Sequence, residues 1–519
     1  MALLEGYKLL SIAFITVLVF YRLFLRAPSI RRNGVPLRKP PGTLPIVGNG
    51  IRFLQTRQKL FDWFAKCERH FGYETFQITV PTLHAGIVIN DPKNLEYVFK
   101  NEGIFAKGEF VKRRSWDLFG YGIINADGEL WKIQRKAGLN FLNNSNLRVL
   151  TDIALPRYLD QSIDLLERRS HDGGPINLQT VFHEITSQLM GKMAYDMEMH
   201  AEDEFTTAFE FASGATTERF QNPLWFITEP LTGTRFRKSL AIIRDFGMEI
   251  VENAIQNRQR SERSKLGSVE DGGRLDKVSG SLVQSLLDSL GTEKSLVADA
   301  ALNYLSAGRD TVAQSLTWTL YLLIQHPFIS EKIRNEVQEL LNSDQDPGQD
   351  FFDRNDDAVK SSIYAPASLP YTMAVFYEAL RLYPPIPFEI KECEKATTLP
   401  DGTFLPERSV VLWCPWAMNR SKISWGEDAD SFRPDRWLTT DGKLITKSAS
   451  EFPVFNGGAR TCLGKRMAEL IAVQVIARMV LKFDFVPAYN TERVSKSSLT
   501  LPMEGGLPCF VKMRANDLG

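Results

Sequence analysis

The segment Phe455-Asn456-Gly457-Gly458-Ala459-Arg460-Thr461-Cys462-Leu463-Gly464 sets a lone cysteine between glycines, two residues after an arginine and just before a strong helix candidate. Each feature has a chemical reading. Glycines let a backbone bend sharply and come close to a flat ligand. A helix N-terminus presents free N–H groups, which favour a thiolate over a thiol. Arg460 can pair with an anionic group of that ligand. A cysteine alone is more often a small buried hydrophobe than a ligand. This combination meets the requirements for a cysteinate bound to haem iron.

Three further constellations accompany it. Trp131 and Arg135 stand four apart, on one helix face; by themselves they would fit a solvated amphipathic helix. Ala307-Gly308-Arg309-Asp310-Thr311 lies midway along a long helix candidate. Gly308 costs about 1 kcal/mol there relative to Ala, and small residues leave room for a diatomic ligand. Thr311 offers a hydroxyl and Asp310 an acid that can relay protons from solvent. Glu378 and Arg381 can pair at i, i+3. Such pairs are worth little at a surface, but the flanks here are apolar.

The pattern F-x-x-G-x-R-x-C-x-G is matched by residues 455–464 at every fixed position, and the other three motifs follow in family order. The chain therefore resembles the haem-thiolate monooxygenases, the cytochrome P-450 family, of the membrane-anchored microsomal type and similar to fungal members. The resemblance runs from a proline-rich segment at 39–48 to residues 499–503. It implies a mainly α fold with a small β part, a single large haem domain behind an N-terminal transmembrane helix. It implies haem b (iron protoporphyrin IX) as cofactor, with Cys462 as axial iron ligand and Phe455 and Gly464 in the same binding loop. Trp131 and Arg135 would reach a haem propionate. Lys391 stands where the family often has an arginine and would act as a point charge without bidentate geometry. Asp310 and Thr311 would be catalytic. Arg436 would join Glu378 and Arg381 in a buried structural cluster that fixes the cysteine loop.

The implied activity is insertion of one oxygen atom from O2 into a C–H bond of a lipophilic substrate. Electrons would come from NADPH through a separate membrane-bound flavoprotein reductase. Lys132, Arg135, Lys136, Lys465 and Arg466 are candidates for its docking face. Local phrasing is similar to branches acting on long-chain aliphatic compounds and fatty acids. Fungal branches acting on terpenoid or polyketide intermediates of secondary metabolism are close behind. Phe110, Trp116, Phe119 and Tyr121, then Phe209, Phe220, Trp225 and Phe226, then Pro387, Phe388 and Leu501 are candidates to line an apolar pocket. Competing readings are a haem-thiolate isomerase or dehydratase and a non-enzymatic haem sensor; Asp310-Thr311 argues for oxygen activation.

The elements that must position these groups are legible in outline. The chain has 519 residues, 44% hydrophobic, which supports a large core and excludes global disorder. With 62 basic and 62 acidic side chains it lacks the surplus that a general nucleic-acid binder needs. Five cysteines without a C-x-x-C pair exclude a disulfide scaffold and a structural zinc site. The apolar run 9–21, extended towards 3 and 25, is about long enough to span a bilayer. Arg26, Arg31, Arg32, Arg38 and Lys39 follow it, so the remainder is expected on the cytosolic side of the endoplasmic reticulum membrane. The organisation expected is an anchor at 1–25, a basic and proline-rich hinge at 26–50, and a haem domain at 51–519. Long helices are expected at 295–325, 370–383 and 462–483, strands at 75–80, 85–89 and 410–413, and a hairpin around 504–506. Stretches 260–280 and 342–362 read as surface excursions.

Overall fold

A computed structural model describes residues 7, 10–17, 29–80, 83, 85–264, 274–291, 293–343 and 363–514. The helices that frame the functional region are α1 (Arg57–Phe71), α2 (Gly108–Phe119), α3 (Gly128–Phe141), α4 (Leu178–Met190), α5 (Glu204–Gln221), α6 (Lys294–Gln325), α7 (Pro370–Leu382) and α8 (Lys465–Lys482). Among the described residues helix dominates and strand is minor, as the sequence implies.

α6 is the axis of the fold. It contains no proline, and most of its residues from Val297 to Leu323 are buried on every face, as a helix crossing a core must be. His326-Pro327 ends it, because proline cannot donate into the preceding turn. Its polar side chains bind loops to the axis. Asn303 Nδ2 donates to Phe119 O at 2.9 Å, and Trp318 Nε1 donates to Leu501 O at 2.8 Å. α4 packs along α6, and Gly308 makes that approach possible. A Cβ at Gly308 would lie 2.7 Å from Met190 Sδ. The missing side chain therefore admits a thioether from α4, rather than only clearing space for a small ligand.

The five-stranded sheet runs in the order β1 (Phe76–Ile78), β2 (Gly86–Val88), β5 (Val410–Trp413), β4 (Glu389–Cys393), β3 (Phe105–Ala106). β5 is parallel to β2 and antiparallel to β4, with Val411 opposite both Ile87 and Lys391. The expected hairpin at 504–506 takes another form. Gly505 and Gly506 make a turn at φ +69° and +67°, but the following strand, β7 (Pro508–Met513), pairs antiparallel with β6 (Phe483–Pro487). Only an isolated bridge, Ser495 to Met503, precedes that turn. α8 begins at Lys465 rather than 462, which leaves Cys462 on the loop.

Residues 10–17 are helical and expose Leu10, Ile12, Phe14, Ile15 and Val17. The expected transmembrane helix is not found: among the described residues no helix is long and apolar enough to cross a membrane. The rest of that expected span, 18–25 included, lies outside the described residues, as does most of 342–362. The basic segment from 29 onwards lies against the domain. Arg31–Arg32 pairs with Thr403–Leu405, and Arg32 and Arg38 share Glu74, each at 2.8 Å.

The charges on α7 form a closed network. Glu378 and Arg381 are both 0% exposed and pair through two 2.8 Å hydrogen bonds. Arg436 Nε and the Arg433 amide donate to Glu378 Oε1, and Trp437 Nε1 donates to Oε2, each at 2.9 Å. Arg381 spends its other N–H groups on the carbonyls of Asn419, Ala429 and Ser431. The cluster thus clamps the 419–437 meander onto α7. Its link to the cysteine helix runs through Tyr377 O–H, which donates to Glu469 on α8 at 2.5 Å. Removing one partner of such a pair strands the other charge in the interior. Glu378→Ala is expected to lower unfolding free energy by about 3–5 kcal/mol, read by denaturant titration; a loss near that of a surface pair would show that the network carries no load.

Candidate functional site

Loop 455–464 is held by its own backbone. The Cys462 amide donates to Phe455 O at 2.8 Å. Gly458 takes φ +62°, and a Cβ there would fall 2.0 Å from Phe99 O; one at Gly457 would fall 2.2 Å from the Phe99 ring. These two glycines therefore seat the loop on the helix Pro92–Lys100, whereas a side chain at Gly464 would meet no protein atom within 4 Å. Cys462 is the one accessible cysteine of the five, and it lines a cavity of about 520 Å³. Burial raises its thiol pKa. The amides of Gly464 and Lys465 and the charge of Arg135 pull the other way, towards the thiolate.

α6 forms the wall that carries Ala307, Gly308, Asp310 and Thr311 on the same cavity. Thr311 Oγ1 donates to Ala307 O at 2.6 Å, so its proton lies against the helix backbone. Asp310 does not face bulk water. It is 8% exposed and accepts from Arg309 Nε at 2.7 Å, and Arg309 in turn reaches Thr206 on α5 at 2.9 Å. His183 Nδ1 stands 3.9 Å from Asp310. Burial, its main influence, holds that imidazole below its ordinary pKa.

The cations expected at an anionic ligand fall into two groups. Arg460 is compensated within the chain: Nε pairs with Glu102 at 2.6 Å, one Nη with Asp127 at 2.8 Å, and the other donates to Ala126 O. Its guanidinium covers the Trp131 ring at 4.4 Å, with Arg135 at 5.4 Å from the same ring. Arg135 donates to Thr461 O at 3.0 Å, which ties α3 to the cysteine loop. Lys391, on β4, is uncompensated. It is 3% exposed, lines the cavity and has no hydrogen-bond partner among the described residues. Burial first, then Lys107 and Arg460, push its pKa down to about 8.

Haem fits this donor set. An accessible sulfur stands at the head of a helix, a bare glycine face adjoins it, and Lys391, whose ammonium has no hydrogen-bond partner among the described residues, and Trp131 line the same space. An anionic, flat ligand would satisfy those donors.

Of the expected pocket aromatics, Phe110, Phe119, Phe209, Phe220 and Phe388 line the cavity. Trp116, Tyr121 and Phe226 are on the outer surface, and Leu501 is buried behind the wall, holding Trp318. Tyr304, one turn before Gly308, lines the cavity and donates to Gln134 O at 2.8 Å; the i−4 spacing from Gly308 could have found it. Arg57, also on the wall, carries no sequence signal.

The family model described as cytochrome P450 matches residues 38–510. Cytochrome P-450 704B1 of Arabidopsis thaliana is 29% identical, covering 94% of this chain and 97% of its own length. Cytochrome P-450 86B1 of the same plant is 30% identical over 96% of this chain and 90% of its own. A fungal relative, cytochrome P-450 monooxygenase cyp1 of Mycosarcoma maydis, is 28% identical over 90% of this chain and 72% of its own. A sulfur presented to a cavity under a central helix, and a family match that spans both, make this chain a member of the cytochrome P-450 family, a haem-thiolate monooxygenase.

Proposed function

We propose that this monooxygenase hydroxylates a lipophilic, largely aliphatic substrate, using electrons from NADPH delivered by a separate flavoprotein reductase. The observation that carries the reading is the placement of Cys462, exposed and on the wall of a cavity about half of whose other lining residues are Phe, Leu, Ile and Val. When bound, haem supplies the activation of O2 and the oxidation of an unactivated C–H bond.

The chain's own residues do the rest. Cys462 Sγ would hold the iron, with the Gly464 and Lys465 amides donating to the sulfur. Lys391, Arg135 and Trp131 would hold the propionates, and Arg460 stiffens that edge through Glu102 and Asp127. Phe455 and Gly464 shape the loop against the ring. Thr311 Oγ1 holds a proton at the cavity wall, and Asp310, held in place by Arg309 Nε at 2.7 Å, is the adjacent acid that restores it. The phenylalanines exclude water from the reacting carbon.

The site of action is the endoplasmic reticulum membrane, with the catalytic domain cytosolic and residues 1–25 as anchor. The exposed apolar side chains at 10–17 support this, as does the short helix Trp225–Thr232, none of whose residues is buried and whose Leu231 is 84% exposed. A fungal terpenoid or polyketide intermediate remains the second substrate class, since an apolar wall accepts either skeleton.

Cys462→Ala should abolish the thiolate-type Soret band of the reduced, carbon monoxide-bound protein; its persistence would refute the ligand assignment. Thr311→Ala should lower product formed per NADPH consumed by about tenfold or more, measured with reductase and substrate; unchanged coupling would remove its role. Lys391→Met should speed haem loss to a competing apoprotein by about tenfold. Binding an anion raises the pKa of Lys391 above about 8. Its contribution to haem affinity is therefore full below pH 8 and fades as the pH climbs through the raised value. A difference between Lys391→Met and the parent that is flat with pH would count against the contact.

A further inference from the structure

A second uncompensated charge lies on the same cavity wall. Arg57 opens α1, is 7% exposed and lines the cavity. Its Nε is wholly buried without a hydrogen-bond partner, and its guanidinium makes no ion pair or hydrogen bond among the described residues. Its neighbours are the Phe61 and Phe388 rings, with centroids 5.2 and 5.3 Å from Cζ. Ring faces attract a cation but replace only part of its lost hydration.

The other deeply buried arginines are treated differently. Arg219 faces Asp117 and Glu229, Arg334 faces Asp484, and Arg381 faces Glu378. Arg114, also on the cavity wall, commits Nε to Arg219 O and one Nη to Phe110 O. Arg57 alone among these keeps its whole donor fork uncommitted.

We propose that Arg57 is the anion anchor of the substrate site, and that the substrate carries a carboxylate. The inference rests on the monooxygenase reading above and narrows its substrate class. A planar guanidinium matches a carboxylate with two parallel N–H···O bonds. One uncommitted cation balances one monoanion. The lining of the cavity includes Leu60, Phe64, Ile78 and Leu380, and Phe388 lies beside Arg57 itself. A molecule held at Arg57 thus lays a hydrocarbon body along the cavity towards Cys462.

The test compares an acid with its methyl ester on the haem-loaded full chain, by titration calorimetry. Dodecanoic acid should bind about tenfold or more tighter than methyl dodecanoate. Arg57→Met should erase that ratio by weakening the acid and sparing the ester, and Arg57→Lys should keep part of it. Ligand-free Arg57→Met should melt no lower than the parent, because it removes an unpaired buried cation. A lower melting temperature would show a hidden structural partner and count against the anchor. Abietic acid and its methyl ester form a second pair with a ring skeleton. If only this pair binds and its ratio depends on Arg57, the aliphatic reading fails and the carboxylate anchor stands. An acid-to-ester ratio that Arg57→Met and Arg57→Lys both leave unchanged, or no binding of either acid, overturns the anchor.

Discussion

A sulfur atom that must react has to be bare, and a sulfur in a protein interior is bare only if something else keeps the surrounding chain away from it. Cys462 meets both conditions at once: it is surrounded by protein yet open to the cavity. The loop cannot collapse over it because both of its ends are pinned. The Cys462 amide is bound to Phe455 O, and Gly457 and Gly458 are wedged against Phe99 so closely that any side chain would collide. Beyond the sulfur, α8 starts at once, and its first amides are what offset the penalty of burying a thiolate. The central helix supplies another wall of the cavity, where Gly308 leaves room for the Met190 thioether of α4.

Buried charge is the second organising theme, and its three states separate structure from chemistry. The Glu378 cluster is closed: every carboxylate oxygen and guanidinium N–H named above has a partner inside the chain, so nothing is left for a ligand. Arg460 is compensated by Glu102 and Asp127 and serves to stiffen the edge of the cavity. Lys391 and Arg57 are open, buried on the wall of one cavity without a hydrogen-bond or ion-pair partner among the described residues. An interior cation without a counter-ion is unfavourable in the empty chain. Its persistence is explained when a negatively charged group completes it, and the two open cations therefore mark where anionic ends of bound molecules belong.

Much of this was legible in the residues. The cysteine loop, the long helix and the Glu-Arg pair are local patterns with short spacing, and each appears where it was expected, with α7 within one residue and α8 delayed only by the loop that frees Cys462. What stayed hidden depends on distant partners. β4 was missed because Glu389-Ile390-Lys391-Glu392-Cys393 does not read as an apolar strand; its pairing with β5 and β3 makes it one. The bend at 504–506 reads as a hairpin locally, but β7 finds its partner in β6, some twenty residues back. Gly308 reads as room for a ligand and also serves a helix contact that no spacing reveals. Arg57 looks like any helix-opening basic residue until Phe61 and Phe388 are seen to enclose it.

The polar groups of the central helix show how one element serves both themes. A helix buried on all sides should be apolar throughout, yet α6 keeps Arg309, Asp310 and Thr311 in succession. Arg309 is directed away from the cavity, to Thr206 and the Phe205 and Phe209 rings of α5, and so neutralises Asp310 without reaching the cavity itself. Asp310 keeps a side on the cavity, and Thr311 satisfies its hydroxyl on a carbonyl of its own helix. Each polar group is thus paired in the resting chain, which avoids the cost of an orphaned donor. The hydroxyl's partner is also the weakest of the set, a backbone carbonyl that already accepts within the helix. The proton that is easiest to redirect into the cavity is therefore the one on Thr311.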